Sequence, residues 1–256
     1  MRQAIEEMKR RLLAILGEEL TALYLYGSVA LGDFKPGWSD IDMLCFTKEP
    51  VGEEAAKTLV NLRQTMLSEE PQNPYYRLFE GAVVSLREFC GGAYTRVVYW
   101  GTSGQRVTDT YCFDAFSRYE LLHDGLLVCG TDVRGALEAP DFAQLKDAVR
   151  QHLGTIRRYA VRTDDSLYAC GWLLDIARGL YTLRTGRVIA KTAAGEWALE
   201  QGLCPAAEEM RRTLQVRKDP ARYLDDGETK AWLSSLGPAV QRFADVLESE
   251  LAESGC

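Results

Sequence analysis

The stretch that decides the fold is LYLYGS, Leu23–Ser28, followed after a short loop by SDIDML, Ser39–Leu44. The first run is apolar up to a Gly-Ser turn, which predicts a buried strand that ends there. In the second run two aspartates stand at alternate positions. Because successive side chains of a strand point to opposite faces, Asp40 and Asp42 share one face while Ile41 turns into the core.

The two aspartates and the Gly-Ser turn together favour a site for a metal ion and a phosphate. Neighbouring carboxylates repel each other without a cation, and Mg²⁺ typically takes one or two carboxylates together with phosphate oxygens. Gly27 lets the backbone approach a phosphate closely, and Ser28 can cap a short helix whose free N–H groups attract an anion. A solvent-exposed strand end is the alternative reading of Asp40 and Asp42.

The composition is that of an ordinary globular protein with an acidic balance. The 256 residues are 46% hydrophobic and 26% charged, with a net charge of −7. This charge argues against a general nucleic-acid binder, and it suits a cationic partner or a nucleotide whose charge is carried by Mg²⁺. No apolar run approaches the ~20 residues of a membrane span. We therefore expect a cytoplasmic protein with no membrane or nucleic-acid partner, and we expect a monomer.

Cysteine and histidine patterns favour neither a zinc site nor a Ser-His-Asp triad. The cysteines are scattered, odd in number and without a C-x-x-C pair, so we expect reduced thiols. They are Cys45, Cys90, Cys112, Cys129, Cys170, Cys204 and Cys256. His123 and His152 are the only histidines in the sequence, and each is expected on a helix surface.

Residues 1–139 are predicted to alternate helices and strands. The predicted helices are 2–17, 53–67 and 115–122, with a helical turn at 28–31. The predicted strands are 21–26, 40–46, 75–86 and 126–130, with a loop at 32–37. For 87–112 we expect a surface loop or short helix whose aromatic residues pack between domains or stack on a ligand.

Glu80 interrupts the apolar run 78–85 of the third predicted strand. A glutamate in a buried strand is costly unless it has a partner or a metal. Two readings follow. Either Glu80 faces water at a strand end, or it joins Asp40 and Asp42 as a third carboxylate.

The alternation of predicted strands and helices ends at 138–141, and helical periodicity dominates beyond these residues. The predicted helices there are 142–161, 166–185, 193–201, 206–217 and 229–252. They indicate a helical bundle. We therefore expect two domains, 1–139 and 140–256, with a ligand cleft between them.

Several of these motifs resemble a known family. YGS at 26–28, the Lys35-Pro36 loop and SDID at 39–42 resemble the signature of the nucleotidyltransferase superfamily that includes DNA polymerase β and antibiotic adenylyltransferases. The block Ala177–Lys191, followed by WALE at 197–200, is similar to the aminoglycoside 3″/9-O-adenylyltransferases that modify streptomycin and spectinomycin. The resemblance implies an α+β, polymerase-β-like N-terminal domain, with a mixed sheet and helices, and an all-α C-terminal helical bundle.

The resemblance also implies roles for single residues. Asp40 and Asp42 match the Mg²⁺-binding aspartates, and Glu80 matches the catalytic base. The residues implied to contact the nucleotide are Gly27, Ser28, Ser39, Arg178 and Lys191. For the acceptor, Asp164 falls at an acidic drug-contacting position, and Trp100 lies in a region that aligns loosely with an aromatic contact. Apart from the resemblance, a cationic sugar needs compensating carboxylates, which Asp164, Asp165 and Asp175 could supply. A solvated acid at a helix start is the alternative reading of Asp165.

The implied reaction transfers AMP from ATP to a hydroxyl of spectinomycin or streptomycin, with Mg²⁺, and releases pyrophosphate. The same chemistry on a lincosamide, another small metabolite or a protein hydroxyl is the alternative. A nucleotide sensor without activity is a second alternative, because a fold does not fix a function. The partners expected are ATP and a cationic small molecule.

Overall fold

Two units make up the chain in the computed structural model, which describes residues 1–101 and 104–253. The sheet unit consists of Met1–Ala30 and Asp40–Ala139. The helical unit consists of Leu31–Ser39 and Pro140–Cys256. The segment 31–39, which joins the two halves of the nucleotidyltransferase-like motif, therefore groups with the helices.

A mixed sheet forms the centre of the sheet unit. Its strands in the described residues are β1 Leu20–Leu25, β2 Ile41–Thr47, β3 Phe79–Ser85, β4 Val97–Gly101, β5 Gly104–Thr108 and β6 Leu126–Gly130. Their order is β5-β4-β3-β2-β1-β6, with β2 and β3 parallel and the other neighbours antiparallel. The central strands β2 and β3 are nearly continuous apolar runs because both of their faces are covered.

Helices accompany this sheet and cover its aromatic core. They are α1 Arg2–Leu16, α2 Gly27–Ala30, α3 Glu53–Glu69, α4 Leu86–Gly91 and α5 Ala115–His123. In the core, Phe46 makes edge-to-face contacts with Tyr24 and Phe89, with ring centroids 6.2 and 5.1 Å apart. The predicted α+β arrangement of a mixed sheet with helices is confirmed.

The third predicted strand begins later than its pattern suggests. Tyr76–Leu78 forms a 3-10 turn, and β3 starts at Phe79. The prediction of a surface loop or short helix over 87–112 holds for 87–91, which lie in the short helix α4, and is wrong for 97–101 and 104–108, where β4 and β5 pair as antiparallel strands. The buried run of β4 and the polar, largely exposed β5 do not alternate in the way that marks a hairpin. Residues 102 and 103 lie outside the described part of the chain.

The helical unit is built around one apolar helix. Its helices are α6 Phe142–Tyr159, α7 Tyr168–Thr185, α8 Lys191–Glu200, α9 Ala207–Lys218, α10 Gly227–Leu233 and α11 Gly237–Glu253. Helix α7 contacts α6, α8, α9 and α11, and it is buried around most of its circumference. An all-round apolar helix takes such a central place. The predicted helical C-terminal region is confirmed.

The predicted single helix 229–252 is two helices. Helix α10 ends at Leu233 and α11 begins at Gly237. Pro238 lies in the first turn of α11, where its missing N–H is harmless, whereas inside a continuous helix it would remove a hydrogen bond. Gly237 also lies directly against the Val161 carbonyl oxygen, and a Cβ atom there would overlap it.

Cysteine thiols in the described residues are all free. Cys45, Cys170 and Cys204 are buried, whereas Cys90 and Cys112 are exposed. Cys256 lies outside the described residues. None of the helices in the described part of the chain combines the length and apolar character that crossing a bilayer requires.

Candidate active site

The Gly-Ser turn lies directly against Asp42. The Tyr26 backbone N–H donates to the Asp42 carbonyl oxygen at 3.1 Å. Gly27 has φ +61°, and a Cβ atom on it would overlap the Asp42 carboxylate. The Ser28 hydroxyl donates to the Asp40 carbonyl oxygen at 3.4 Å. The two halves of the motif are therefore joined, and only glycine fits at the turn.

Ser28 does not cap α2 as predicted. It is the second residue of that helix, which begins at Gly27. Ser39 makes a local contact as well, because its hydroxyl oxygen accepts a hydrogen bond from the Lys35 backbone N–H at 3.0 Å. The role of Ser28 and Ser39 toward a triphosphate stays a prediction.

Asp42 and Glu80 are direct neighbours across the parallel pair β2–β3. Their Cα atoms are partners in the register. Residues paired in this way project from the same face, and neighbouring strands lie about 4.8 Å apart. Asp40 directly precedes β2, two residues before Asp42. The structure thus brings the three predicted carboxylate residues to one end of two central strands.

Glycine residues make room for the Glu80 side chain. A Cβ atom on Gly101 in β4 would lie 2.6 Å from Glu80 Oε1 and would overlap the Tyr99 hydroxyl. That hydroxyl donates to Glu80 Oε1 at 3.4 Å. Gly81, with φ +140°, lies so close to the Met43 carbonyl oxygen that no Cβ atom fits. Glu80 therefore precedes a position that only glycine can occupy, and its carboxylate lies beside Tyr99 and Gly101 of β4.

Asp40 and Asp42 fit a divalent metal bound together with phosphate. Within residues 1–101 and 104–253, no three His, Cys, Asp or Glu side chains are arranged to hold a metal ion. Glu80 lies beside Asp42 as the third carboxylate of this edge, and its role as catalytic base stays a prediction. Two carboxylates are the donor set that Mg²⁺ accepts when phosphate oxygens and water complete its shell.

Arg63 adds a positive charge that the sequence analysis did not identify. Its guanidinium donates to the Phe79 carbonyl oxygen at 2.8 Å, one residue before Glu80. Burial lowers the pKa of Arg63, and the nearby charges of Glu80 and Asp40 oppose that effect. Arg63 therefore offsets part of the negative charge of the carboxylates. Its position four residues after buried Leu59, on the same face of α3, is the signal that could have found it.

A basic cluster in the helical unit surrounds Asp175. The Lys191 ammonium lies 2.8 Å from Asp175 Oδ1, and His152 Nε2 lies 3.4 Å from Oδ2. Burial raises the pKa of Asp175, but the charges of Lys191, His152 and Arg178 outweigh it and hold that pKa far below its usual value. Lys191 and Arg178, predicted to bind phosphates, are thus brought together around one ionised carboxylate.

Family comparisons identify both parts of the chain. Residues 1–80 match the nucleotidyltransferase domain, and residues 138–249 match the C-terminal domain of aminoglycoside adenylyltransferases. The chain belongs to the aminoglycoside adenylyltransferase family of nucleotidyltransferases. This adenylyltransferase is therefore an enzyme, and its family transfers AMP to an antibiotic. A non-catalytic nucleotide sensor is ruled out by that membership.

A solved structure of similar fold covers almost the whole adenylyltransferase. It is spectinomycin adenyltransferase AAD(9) from Enterococcus faecialis with ATP and spectinomycin, at 17% identity and a TM-score of 0.62, over 97% of this chain and 99% of that one. The MntA–HpeT toxin–antitoxin also matches, at 18% identity and a TM-score of 0.29, over 60% of this chain and 92% of that one. The first match shows that the two proteins share a fold.

The predicted acceptor residues of the adenylyltransferase have different surroundings. Asp164 Oδ1 accepts hydrogen bonds from the Ser166 N–H and hydroxyl at 3.1 and 2.6 Å, in the turn before α7. Its contact with a drug stays a prediction. Asp175 pairs with Lys191 and His152 instead of facing a cationic drug, so its assignment as an acceptor residue is wrong.

Trp100 is not a substrate contact of the adenylyltransferase. Its side chain is 0% exposed, and its indole N–H donates to the Leu59 carbonyl oxygen in α3 at 3.1 Å. The prediction is wrong because the aromatic run of 97–100 is the buried strand β4. The indole stabilises the packing of α3 on the sheet and leaves no surface for a ligand.

Proposed function

We propose that this adenylyltransferase transfers AMP from ATP to a hydroxyl of spectinomycin or streptomycin and releases pyrophosphate. The pairing of Asp42 with Glu80 across β2–β3, with Asp40 two residues away, is the observation on which the proposal rests. In this arrangement Asp40 and Asp42 would bind the metal, and Glu80 would accept the proton of the acceptor hydroxyl. Membership of an aminoglycoside-modifying family supports the choice of acceptor.

Asp40 and Asp42 would hold Mg²⁺ through carboxylate oxygens. When bound, Mg²⁺ neutralises charge on the triphosphate and favours attack at the α-phosphorus. Gly27 keeps the Asp42 carboxylate in place, because the turn leaves space only for a hydrogen atom beside it. Arg63 limits the repulsion among the neighbouring carboxylates.

Glu80 acts as the general base in this proposal. The acceptor hydroxyl forms a bond from its oxygen to the α-phosphorus, the bond from the α-phosphorus to the bridging oxygen breaks, and pyrophosphate leaves. The hydroxyl proton passes to a carboxylate oxygen of Glu80. The Tyr99 hydroxyl at 3.4 Å from Oε1 and the absence of a side chain at Gly101 orient that carboxylate.

Lys191 and Arg178 would bind the phosphates that become pyrophosphate. Leaving pyrophosphate carries several negative charges, and cations stabilise it. The Asp175 side chain is only 13% exposed and pairs with the Lys191 ammonium, so it holds that ammonium in place. Because ATP is a compound of the cell interior, we place the reaction in the cytoplasm.

The acceptor is tested by pyrophosphate release from ATP and Mg²⁺ with a panel of drugs. We expect release with spectinomycin, streptomycin or both. Release only with a lincosamide would favour that alternative acceptor. No release with any aminoglycoside-type drug would refute the proposed acceptor.

Glu80→Gln tests the base without changing size. The variant should bind ATP as the wild type does and lose turnover by about 10²-fold or more, the usual contribution of a general base. Glu88→Gln is the matched control, because the Glu88 carboxylate accepts a hydrogen bond from the Thr95 N–H at 2.9 Å and has no part in the proposed chemistry. An active Glu80→Gln variant would show that the base is another group.

A further inference from the structure

Helix α8, which begins at Lys191, has no cap from its own sequence. Its N-cap residue, Ala190, makes no side-chain hydrogen bond to the helix. The cap comes instead from Asp33, which is 159 residues away in sequence. Asp33 Oδ2 accepts a hydrogen bond from the Thr192 N–H at 3.2 Å, and Oδ1 accepts one from the Thr192 hydroxyl at 2.6 Å. An aspartate at a helix N-terminus satisfies free N–H groups and interacts favourably with the helix dipole.

Arg217 completes this contact in the interior of the helical unit. Its guanidinium lies 2.7 Å from Asp33 Oδ2, and the two side chains are 3% and 7% exposed. Arg217 Nε also donates to the Thr192 hydroxyl at 3.0 Å, and the guanidinium stacks over the Trp38 ring at 5.1 Å. Asp33, Thr192 and Arg217 thus form a hydrogen-bonded triad, hereafter the Asp33 triad. The Lys35 ammonium lies beside it, 3.3 Å from Asp33 Oδ1. A buried ion pair is costly unless its hydrogen bonds are satisfied, and here they are.

The Asp33 triad holds the residue next to Lys191. Thr192 is fixed by Asp33 and Arg217, while Lys191 is fixed by Asp175 on α7 at 2.8 Å. Two successive residues of the first turn of α8 are therefore anchored by different elements. The Asp33 triad thus fixes where Lys191 starts from the helix, and Asp175 fixes where its ammonium lies.

The segment 31–39, which contains Asp33, leads directly to the proposed metal ligands. It runs from the Gly-Ser turn to Ser39, and the next residue is Asp40, the first of the proposed metal ligands. Burial raises the pKa of the Asp33 carboxyl, yet the hydrogen bonds from Thr192 and Arg217 outweigh it and hold that pKa below its usual value. Asp33 is therefore ionised at neutral pH and keeps the segment attached to α8.

We propose that Asp33 is a positioning residue for ATP: by capping α8 it orients Lys191 toward the nucleotide phosphates. The inference rests on the phosphate-binding role proposed above for Lys191. It makes Asp33 part of the nucleotide-binding machinery without any contact to the nucleotide. A residue that served only stability would change the melting temperature and leave ATP affinity of the folded enzyme unchanged.

The test compares ATP affinity in Asp33→Asn, Lys191→Met and the double variant, measured by calorimetry with Mg²⁺ on the full chain. Asp33→Asn keeps one acceptor oxygen but replaces the other by an amide donor, so it loses the ion pair with Arg217 and part of the hold on Thr192, and it should raise the Kd for ATP about tenfold. The Kd for AMP, which lacks the leaving phosphates, should stay within about twofold. The double variant should bind ATP no more weakly than Lys191→Met alone, because both changes remove the same contact.

Asp226→Asn is the matched control. Asp226 caps α10 in the same manner, by accepting hydrogen bonds from the Thr229 N–H and hydroxyl at 2.8 and 2.6 Å. It should leave both affinities unchanged, because an amide oxygen can accept the same two hydrogen bonds and α10 carries no proposed nucleotide contact. If Asp33→Asn fails to fold, Thr192→Val removes one hydroxyl donor at constant shape and should weaken ATP binding, whereas Thr192→Ser should restore it.

Losses that multiply in the double variant would overturn the inference, and so would unchanged ATP affinity in Asp33→Asn or in Thr192→Val. If the wild type binds ATP but modifies no drug, only the proposed acceptor fails. If the wild type does not bind ATP, the proposed function and the inference fail together.

Discussion

Replacing Gly27 by alanine should disable the enzyme without unfolding it. The new Cβ atom would lie 2.9 Å from Asp42 Cγ, and closer still to its carboxylate oxygen. Carbon atoms in contact normally stay about 3.5–4.0 Å apart, so the Asp42 carboxylate must move by about 1 Å. A shift of that size in a group that positions substrate can reduce turnover about 10²-fold.

Gly202→Ala separates this effect from backbone strain. Gly27 and Gly202 have nearly the same backbone angle, φ +61° and +65°, but a Cβ atom on Gly202 has no heavy atom within 4 Å. Each alanine should lower the free energy of unfolding by about 1–2 kcal/mol, the cost of the left-handed conformation. Only Gly27→Ala should lose turnover.

The assay is steady-state pyrophosphate release, together with thermal unfolding of both variants. If Gly27→Ala retained wild-type kcat, Asp42 would not need its observed position. If Gly202→Ala lost as much turnover as Gly27→Ala, strain and not the displaced carboxylate would be the cause.

Three further predictions concern other parts of the molecule. Lys191→Met should raise KM for ATP with little change in KM for the drug; an equal rise in both would contradict a phosphate contact. Trp100→Phe should lower the free energy of unfolding by about 2–3 kcal/mol, through the lost hydrogen bond to Leu59 and the cavity left by the smaller ring. It should leave KM for the drug unchanged, whereas a raised KM would show a substrate contact. The pKa values of Asp33 and Asp175 are lower in the folded protein than in the unfolded chain, so their contribution to stability is complete above about pH 4 and is lost as the pH falls further. The urea midpoint should therefore drop in acid, and it should drop less in Asp33→Asn. An equal drop of the midpoint with pH in both proteins would contradict the assignment for Asp33.

Local patterns were sufficient where neighbours in sequence decide the structure. The apolar run into Gly27 and the alternate aspartates of 39–42 predicted β1, the turn and the strand β2 that follows. Helical periodicity predicted the helical unit, because a helix repeats its apolar face every turn. It missed the break before α11, where Pro238 can begin a helix but cannot continue one.

Contacts between distant parts of the sequence could not be predicted in this way. Trp100 was expected to be available to a ligand. It is buried because β4 pairs with β3, and residues 97–100 alone do not indicate that pairing. Asp33 lies in the predicted loop 32–37, and nothing in that loop indicates its contact with Arg217, which is 184 residues away in sequence. Arg63 was not singled out, because its contact with the start of β3 is made only when α3 packs beside that strand. Each role depends on a partner that only the fold supplies.

The central claim is that Asp40, Asp42 and Glu80 transfer AMP to an aminoglycoside-type drug. Mass spectrometry of spectinomycin and streptomycin after incubation with ATP, Mg²⁺ and enzyme tests it most directly. We predict that, over the same short incubation, the wild type and Glu88→Gln add one adenylyl group to at least one of the two drugs, and that Glu80→Gln forms that product at least about 10²-fold more slowly. Unmodified drugs with the wild type, or the same product yield with Glu80→Gln, would contradict the claim.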